Sequence, residues 1–175
     1  PPISTLFPYT TLFRSLVLNT RAEFGYIGYY NKEIGQSPFE TFQLGGDGLS
    51  GYSYYGTEII GLRGYDNGPN NRGSITPYNQ LGNLYDKFTL ELRYPLALQP
   101  SSTIYVHTFV EGGMAWNQAK EFNPFHIKRS AGMGFRIFLP MIGVLGLDWG
   151  YGFDKIPNQP DGNGSHFAFV IGPQF

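Results

Sequence analysis

The 175-residue sequence contains no cysteine, and only 14% of its residues are charged. The missing thiols exclude a disulfide scaffold and a cysteine-based zinc site. The low charge is unusual for a soluble domain, in which about a quarter of the residues are charged. The formal net charge of -1 argues against a protein that binds nucleic acid by neutralising phosphates. No apolar run reaches the roughly 18 residues that a membrane-spanning helix needs.

The sequence is instead rich in glycine and aromatic residues. It has 24 glycines and 13 prolines, and aromatic residues make up 17% of the chain. Disordered chains are poor in aromatics and rich in charge, so this composition excludes disorder. It suits many short strands, and in particular a transmembrane β-barrel with an apolar outside and a polar inside.

Six segments alternate apolar and polar residues with the period of two that is typical of β-strands. In the fifth, Leu147 and Trp149 lie on one face, and Asp148 and Gly150 lie on the other. Faces that mix charge with glycine cannot form a dry core, because unpaired buried charge is costly. We therefore predict an all-β fold whose apolar face meets lipid and whose polar face lines a wet lumen. The six segments are 16–27, 86–98, 103–116, 129–139, 144–153 and 166–175.

The connections between these segments alternate in length. Tight turns are predicted at 99–102 and 140–143, and long polar connections at 31–85, 117–128 and 154–165. Bacterial barrels have short periplasmic turns and long extracellular loops, so this alternation supports a barrel. Six antiparallel strands are too few to close one, since known bacterial barrels begin at eight strands. The loop 31–85 far exceeds an ordinary connection, and such loops are usually functional or disordered.

Residues 1–15, PPISTLFPYTTLFRS, do not alternate like the segments that follow them. They resemble translated sequencing-adaptor read-through, and we expect them to be foreign to the natural protein. The natural chain would then continue upstream of Leu16, and residues 16–175 would be its C-terminal part. The other interpretation is a natural short strand with a turn at Pro8.

Several motifs carry a resemblance to a known family. The run Gly61-Leu62-Arg63-Gly64-Tyr65, preceded by an aromatic and glycine-rich stretch at 38–46, resembles a motif of the Omp85 superfamily. The blocks 90–96, 109–116, 129–140 and 146–154 and the terminal FVIGPQF resemble, in order, the last five strands of its BamA branch. The amino-acid sequences of these blocks most resemble those of family members from the Bacteroidota.

This resemblance implies a barrel of about sixteen strands, preceded by periplasmic POTRA domains, of which this chain supplies the last six. It also implies that the loop 31–85 folds into the lumen. There Arg63, flanked by Gly64 and Tyr65, would dock on acidic wall residues at Glu91 and Glu111. The alternation pattern of the strands independently places both glutamate side chains on the inward face. The alternative is a solvated loop arginine and two unrelated lumen carboxylates.

The last segment resembles the β-signal of outer-membrane proteins. Its aromatic and apolar residues share one face, and a glycine and a terminal aromatic residue follow the signal's pattern. Any final strand of a barrel could end in the same way. Pro173 departs from the pattern, because proline cannot donate to a strand ladder. The residues are Phe167, Phe169, Ile171, Gly172 and Phe175.

The resemblance implies a non-enzymatic insertase that crosses the bacterial outer membrane several times. Its partners would be nascent β-barrel proteins, accessory lipoproteins and the lipid bilayer, with no nucleic acid. The alternative within the superfamily is a protein-translocating pore of the two-partner secretion type.

The residues themselves favour no catalytic site, metal site or cofactor. His107, His126 and His166 lie on different strands or loops, with no pair at ligand spacing. His107 and Asp148 have inward parity, but no nucleophile is evident beside them. A barrel enzyme is therefore the weakest of the three hypotheses.

Overall fold

The computed structural model describes residues 16–29, 35, 40–46, 57–65, 75, 82–99, 102–140, 143–156 and 163–172. The segment 1–15, which we expect to be foreign, lies outside these residues, as do Pro173 and Phe175. In the described part of the chain, no helix is both long enough and apolar enough to cross a membrane.

Six long antiparallel strands form one open sheet in the order β1-β4-β5-β6-β7-β8. This confirms the predicted all-β fold and its six antiparallel strands, which form part of a barrel that this chain does not close. A second sheet of two short parallel strands, β2 and β3, lies in the long loop. The strands are β1 Val17–Tyr26, β2 Thr41–Leu44, β3 Thr57–Ile60, β4 Leu84–Gln99, β5 Ser102–Trp116, β6 Lys128–Leu139, β7 Gly143–Gly152 and β8 Ser165–Gly172.

The observed strand ends lie within two residues of the predicted ones, except at the C-terminus. There β8 ends at Gly172, and 173–175 lie outside the described residues. The predicted loop 31–85 overlaps β4, which begins at Leu84, and it contains β2 and β3, which were not predicted. Strands of four residues are too short to show a clear period of two, so the sequence pattern could not reveal them.

The two faces of the sheet have opposite environments. Phe88, Phe135 and Trp149 are exposed on the outward face, whereas Glu91 and Glu111 are buried on the inward face. The inward face, which we call the wall, borders a polar cavity of about 750 Å³. This orientation is the one that the strand pattern predicts for a barrel with a lipid-facing outside and a wet inside.

β4 accommodates a proline in the middle of the sheet. Pro95 pairs with Tyr105 of β5, and the register then shifts between Pro95 and Ala97. Proline has no backbone N–H to give to the ladder, and bulges are one of the few places where sheets tolerate it. The shift therefore lies where the strand lacks a donor.

The long loop has a hydrophobic core of its own at the end of the sheet opposite the tight turns. Its apolar residues pack on the first residues of β4 and the last residues of β5. Backbone hydrogen bonds tie the loop to β5: Asn83 N donates to Trp116 O at 2.8 Å, and Ala115 N donates to Ile75 O at 3.3 Å. The loop therefore covers this end of the wall as a packed element. The cluster is Phe42, Leu44, Ile60, Leu62, Tyr65, Ile75, Leu84, Tyr85, Met114, Ala115, Trp116 and Ile156.

Candidate functional site

Residues 61–65 follow β3 and cross the wall in a tight turn, which we call the docking turn. Isolated bridges hold it on both sides, because Leu62 pairs with Gly46 and Tyr65 pairs with Asn163. Gly64 has a φ of 88°, in the left-handed region that glycine adopts without strain. The docking turn therefore reverses sharply at the position where Arg63 meets the wall.

The Arg63 guanidinium contacts three carboxylates from three different strands, which we call the carboxylate seat. Its Nη2 donates to Glu91 Oε1 on β4 and to Glu111 Oε1 on β5, each at 2.7 Å. Its Nη1 donates to Asp148 Oδ2 on β7 at 2.9 Å. The planar fork of an arginine can serve several acceptors at once, which a lysine ammonium cannot do with the same geometry.

Further contacts fix Arg63 in the seat. Its backbone N donates to Glu111 Oε2 at 3.0 Å, and its guanidinium carbon lies 3.5 Å from the centre of the Phe109 ring. Its Nη1 also lies 3.3 Å from His107 Nε2. Burial by itself would lower the pKa of Arg63, but the attraction of Glu111 and the other two carboxylates outweighs it and raises that pKa. The side chain is therefore held as a cation.

The wall supplies cations of its own to the seat. Arg93 donates to Glu91 Oε2 through Nε at 3.0 Å and through Nη2 at 2.8 Å. Arg136 donates to both oxygens of Asp148. Lys87 Nζ lies 3.7 Å from Glu111 Oε1. Each carboxylate that binds Arg63 thus also has a cation from the sheet itself.

Glycines on β7 make a slot for the docking turn. A Cβ at Gly150 would lie 2.8 Å from Gly64 N and 3.1 Å from Arg63 C, and one at Gly152 would lie 3.0 Å from the Tyr65 ring. A Cβ at Gly64 would in turn lie 2.7 Å from Gly152 N. The two backbones approach so closely that a side chain on either would displace the other.

Tyr65 anchors the far side of the docking turn. Its hydroxyl donates to Arg129 O at 2.7 Å and accepts from Asp154 N at 3.3 Å. Burial raises the pKa of Tyr65 to about 12. The phenol therefore remains neutral and able to donate at physiological pH.

The terminal strand presents its apolar residues on the outward face. Phe167, Phe169 and Ile171 of β8 are exposed, and Gly172 has a φ of 144°. Phe175, the terminal residue of the predicted signal, lies outside the described residues. The role of this strand as a signal stays a prediction.

The cluster around Arg63 is suited to holding a loop. Each of its carboxylates forms a salt bridge with at least one arginine. Among the described residues, no group of three or more histidine, cysteine, aspartate or glutamate side chains could hold a metal ion.

The structure brings Arg63, Glu91 and Glu111 into contact, and it adds residues that the sequence analysis did not assign to the site. Asp148 and His107 were recognised only as inward-facing, whereas Arg136 and Phe109 were given no role. Inward parity was the available signal for Asp148, His107 and Arg136. Alternation along a strand shows which residues face inward, but it does not show which inward residues of different strands lie beside each other in the sheet. These contacts could therefore not be predicted.

Comparison with known protein families gives one match. The family model of the Omp85 superfamily domain matches residues 4–175. The match begins inside the segment 1–15, whose foreign origin stays a prediction. No match to this chain was found among curated proteins or among solved structures.

Proposed function

The chain belongs to the Omp85 superfamily, whose members insert or translocate proteins at the outer membrane, and we propose that it is part of a non-enzymatic insertase for nascent β-barrels. The observation that supports this proposal is the docking of Arg63 on three carboxylates of the wall. Sequence blocks that resemble the BamA branch favour the insertase over other roles in the superfamily.

In this proposal the docking turn is a latch that fastens the long loop inside the lumen. The loop carries its own hydrophobic core across one end of the wall, where Leu44, Leu62 and Trp116 are almost completely buried. A packed loop at this position favours a closed lumen over an open conduit. The insertase would therefore act through its rim and its lipid-facing surface.

The edge of β8 is the proposed site for substrate strands. β8 is the last strand of the described sheet, and among the described strands only β7 pairs with it. In a closed barrel this edge would face the first strand, and where the two strands part it would present unpaired backbone donors and acceptors to which another strand can add. Substrate folding would supply the energy, so the proposal requires no nucleotide.

The proposal includes a location and partners. The strands would cross the bacterial outer membrane several times as part of a barrel of about sixteen strands. The partners would be nascent outer-membrane β-barrels, accessory lipoproteins and the surrounding lipid. The exposed outward residues Leu90 on β4, Val110 on β5 and Leu147 on β7 support contact with lipid, because large apolar side chains are exposed on the same face of the sheet.

Arg63→Ala in the intact protein tests the latch. We expect vesicles that contain this variant to fold an unfolded outer-membrane barrel substrate roughly tenfold more slowly than wild type, because about 1.4 kcal/mol of lost positioning corresponds to a tenfold change. Arg63→Lys keeps the charge but not the fork, and we expect it to restore only part of the rate.

Arg129→Ala is the matched control, because the exposed side chain of Arg129, near the start of β6, pairs with Asp154 and does not contact the carboxylate seat. The control should fold the substrate at the wild-type rate. A normal rate for Arg63→Ala with a verified folded barrel would contradict the proposal.

A second measurement, on the same protein, distinguishes the insertase from a translocating pore. A pore of the two-partner secretion type predicts conductance across a planar bilayer and passage of one dedicated secreted protein. An insertase predicts folding of several unrelated barrel substrates. Conductance without substrate folding would assign the chain to the pore class.

A further inference from the structure

The carboxylate seat holds more negative charge than Arg63 can neutralise. Glu91, Glu111 and Asp148 carry three negative charges, and Arg63 brings one positive charge. Buried charge without a partner is strongly unfavourable. Something other than the docking turn must therefore stabilise the seat.

The wall balances its own charge without the loop. Its four clustered carboxylates face four cations carried by the same sheet, and each carboxylate has a cation within 4.0 Å. Glu23 pairs with Arg21 at 3.2 Å. Lys87 can therefore pair with Glu111, whose Oε1 lies 3.7 Å from Lys87 Nζ. The pairs are Arg21 with Glu23, Lys87 with Glu111, Arg93 with Glu91, and Arg136 with Asp148.

Arg136 shows the arrangement most clearly. Both Arg136 and Asp148 are buried, at 3% and 0% exposure. Nη1 and Nη2 of Arg136 donate to Oδ1 and Oδ2 of Asp148. The side chain of Arg136 crosses Gly146 of β7, where a Cβ would lie 2.8 Å from Arg136 Cζ. The glycine therefore opens the path along which Arg136 reaches Asp148.

We propose that Arg93, Lys87 and Arg136 are positioning residues that keep the carboxylate seat paired whether or not Arg63 is docked. The docking turn can then leave and return without exposing an unpaired buried carboxylate. This inference rests on the proposed latch, and it adds that the latch is reversible because the wall is electrostatically complete by itself. It also predicts energetic coupling between Arg63 and Arg136, which serve the same carboxylate.

A double-mutant cycle in the intact protein tests the proposal. Urea unfolding in micelles is followed for wild type, Arg63→Ala, Arg136→Met and the double variant. With Arg63 present, Asp148 keeps one arginine after Arg136→Met. With Arg63 absent, it keeps only His107, at 3.2 Å. We expect Arg136→Met to shift the unfolding midpoint roughly twofold further in the Arg63→Ala background than in wild type.

Two further variants separate charge from packing. Arg136→Lys restores the cation, so it should recover most of the coupling that Arg136→Met reveals. Arg129→Met serves as the control, because Arg129 lies on the same strand but pairs with Asp154, outside the seat. Its effect should be the same in both backgrounds.

If the double variant does not fold, Asp148→Asn is added to it. Removing the stranded carboxylate should restore folding. Equal effects of Arg136→Met in the two backgrounds, or a triple variant that still does not fold, would overturn the proposal. These readouts measure unfolding alone, so a failure here leaves the insertion assay to decide the proposed function separately.

Discussion

Arg63 uses nearly all of its hydrogen-bonding capacity in one buried cluster. Its backbone and both terminal nitrogens reach acceptors on β4, β5 and β7, and the Phe109 ring covers one face of the guanidinium. Contacts with three strands make the position of this one residue sensitive to the shape of the whole wall. A loop fastened in this way links β4, β5 and β7 through one side chain.

Tyr65 gives the docking turn a measurable pH dependence. Burial raises the pKa of Tyr65 from its ordinary 10.0 to about 12, so the folded state favours the neutral phenol. The corresponding stability is fully present below pH 10 and is lost as the pH rises through 12. We expect Tyr65→Phe to reduce the free energy of unfolding by about 1 kcal/mol at neutral pH, through the lost hydrogen bond to Arg129 O.

Urea unfolding at about pH 8 and about pH 11.5 checks this prediction. The difference between wild type and Tyr65→Phe should shrink at the higher pH, because wild type then loses the phenol contribution. Other tyrosines titrate in both proteins and cancel in the comparison. A difference that stays constant across this range would contradict the prediction.

β7 contributes to the site because glycines stand where larger side chains would block the docking turn. Gly150 and Gly152 alternate with outward aromatic residues, so the inward side of β7 beyond Asp148 is bare backbone. The docking turn lies in the space that side chains would otherwise fill. A strand with bulky residues at these positions would keep its outward face but could not accept the turn.

Gly150→Ala should release the docking turn. Its Cβ would meet backbone atoms of Arg63 and Gly64, which cannot rotate away, and overpacking of this kind costs about 1–3 kcal/mol. Trypsin cleavage after Arg63 measures the release, because the docked side chain is only 11% exposed. We expect fast cleavage in the variant and slow cleavage in wild type.

Gly112→Ala is the matched control on β5. Its Cβ would first meet the tip of the Ile127 side chain, at 2.6 Å, which can move aside. This variant should show the wild-type cleavage rate. Equal protection of Arg63 in Gly150→Ala would show that the slot does not hold the turn.

The whole sheet separates an apolar outside from a charged inside. Leu147 is exposed on the outward face in the middle of β7, whereas Asn19 borders the polar cavity on the inward face. The two environments predict opposite responses to an added charge. In lipid, we expect Leu147→Arg to reduce stability by about 2–4 kcal/mol, the value typical of an arginine near the middle of a bilayer.

Asn19→Arg adds the same charge on the wet side and should change stability by less than about 1 kcal/mol. Urea unfolding of both variants in lipid vesicles provides the comparison. Equal losses, or a larger loss for Asn19→Arg, would mean that the outward face does not meet lipid.

Much of the fold could be predicted because period-two alternation is local. The faces of Phe88, Phe135 and Glu91 follow from neighbouring residues alone, and so do the strand positions within one or two residues. Composition and alternation together also excluded a dry core. The two short strands of the long loop escaped prediction because four residues carry too little pattern.

The amino-acid sequence by itself determined which side chains face the lumen and pointed to Arg63, Glu91 and Glu111, whose role as a latch stays a prediction. Only the tertiary structure decided that Asp148, Arg136 and His107 join them. Their meeting depends on how far each strand is displaced against the next, and this displacement is a property of the assembled sheet. Alternation can be seen within one segment, whereas cross-strand register depends on how two segments pair.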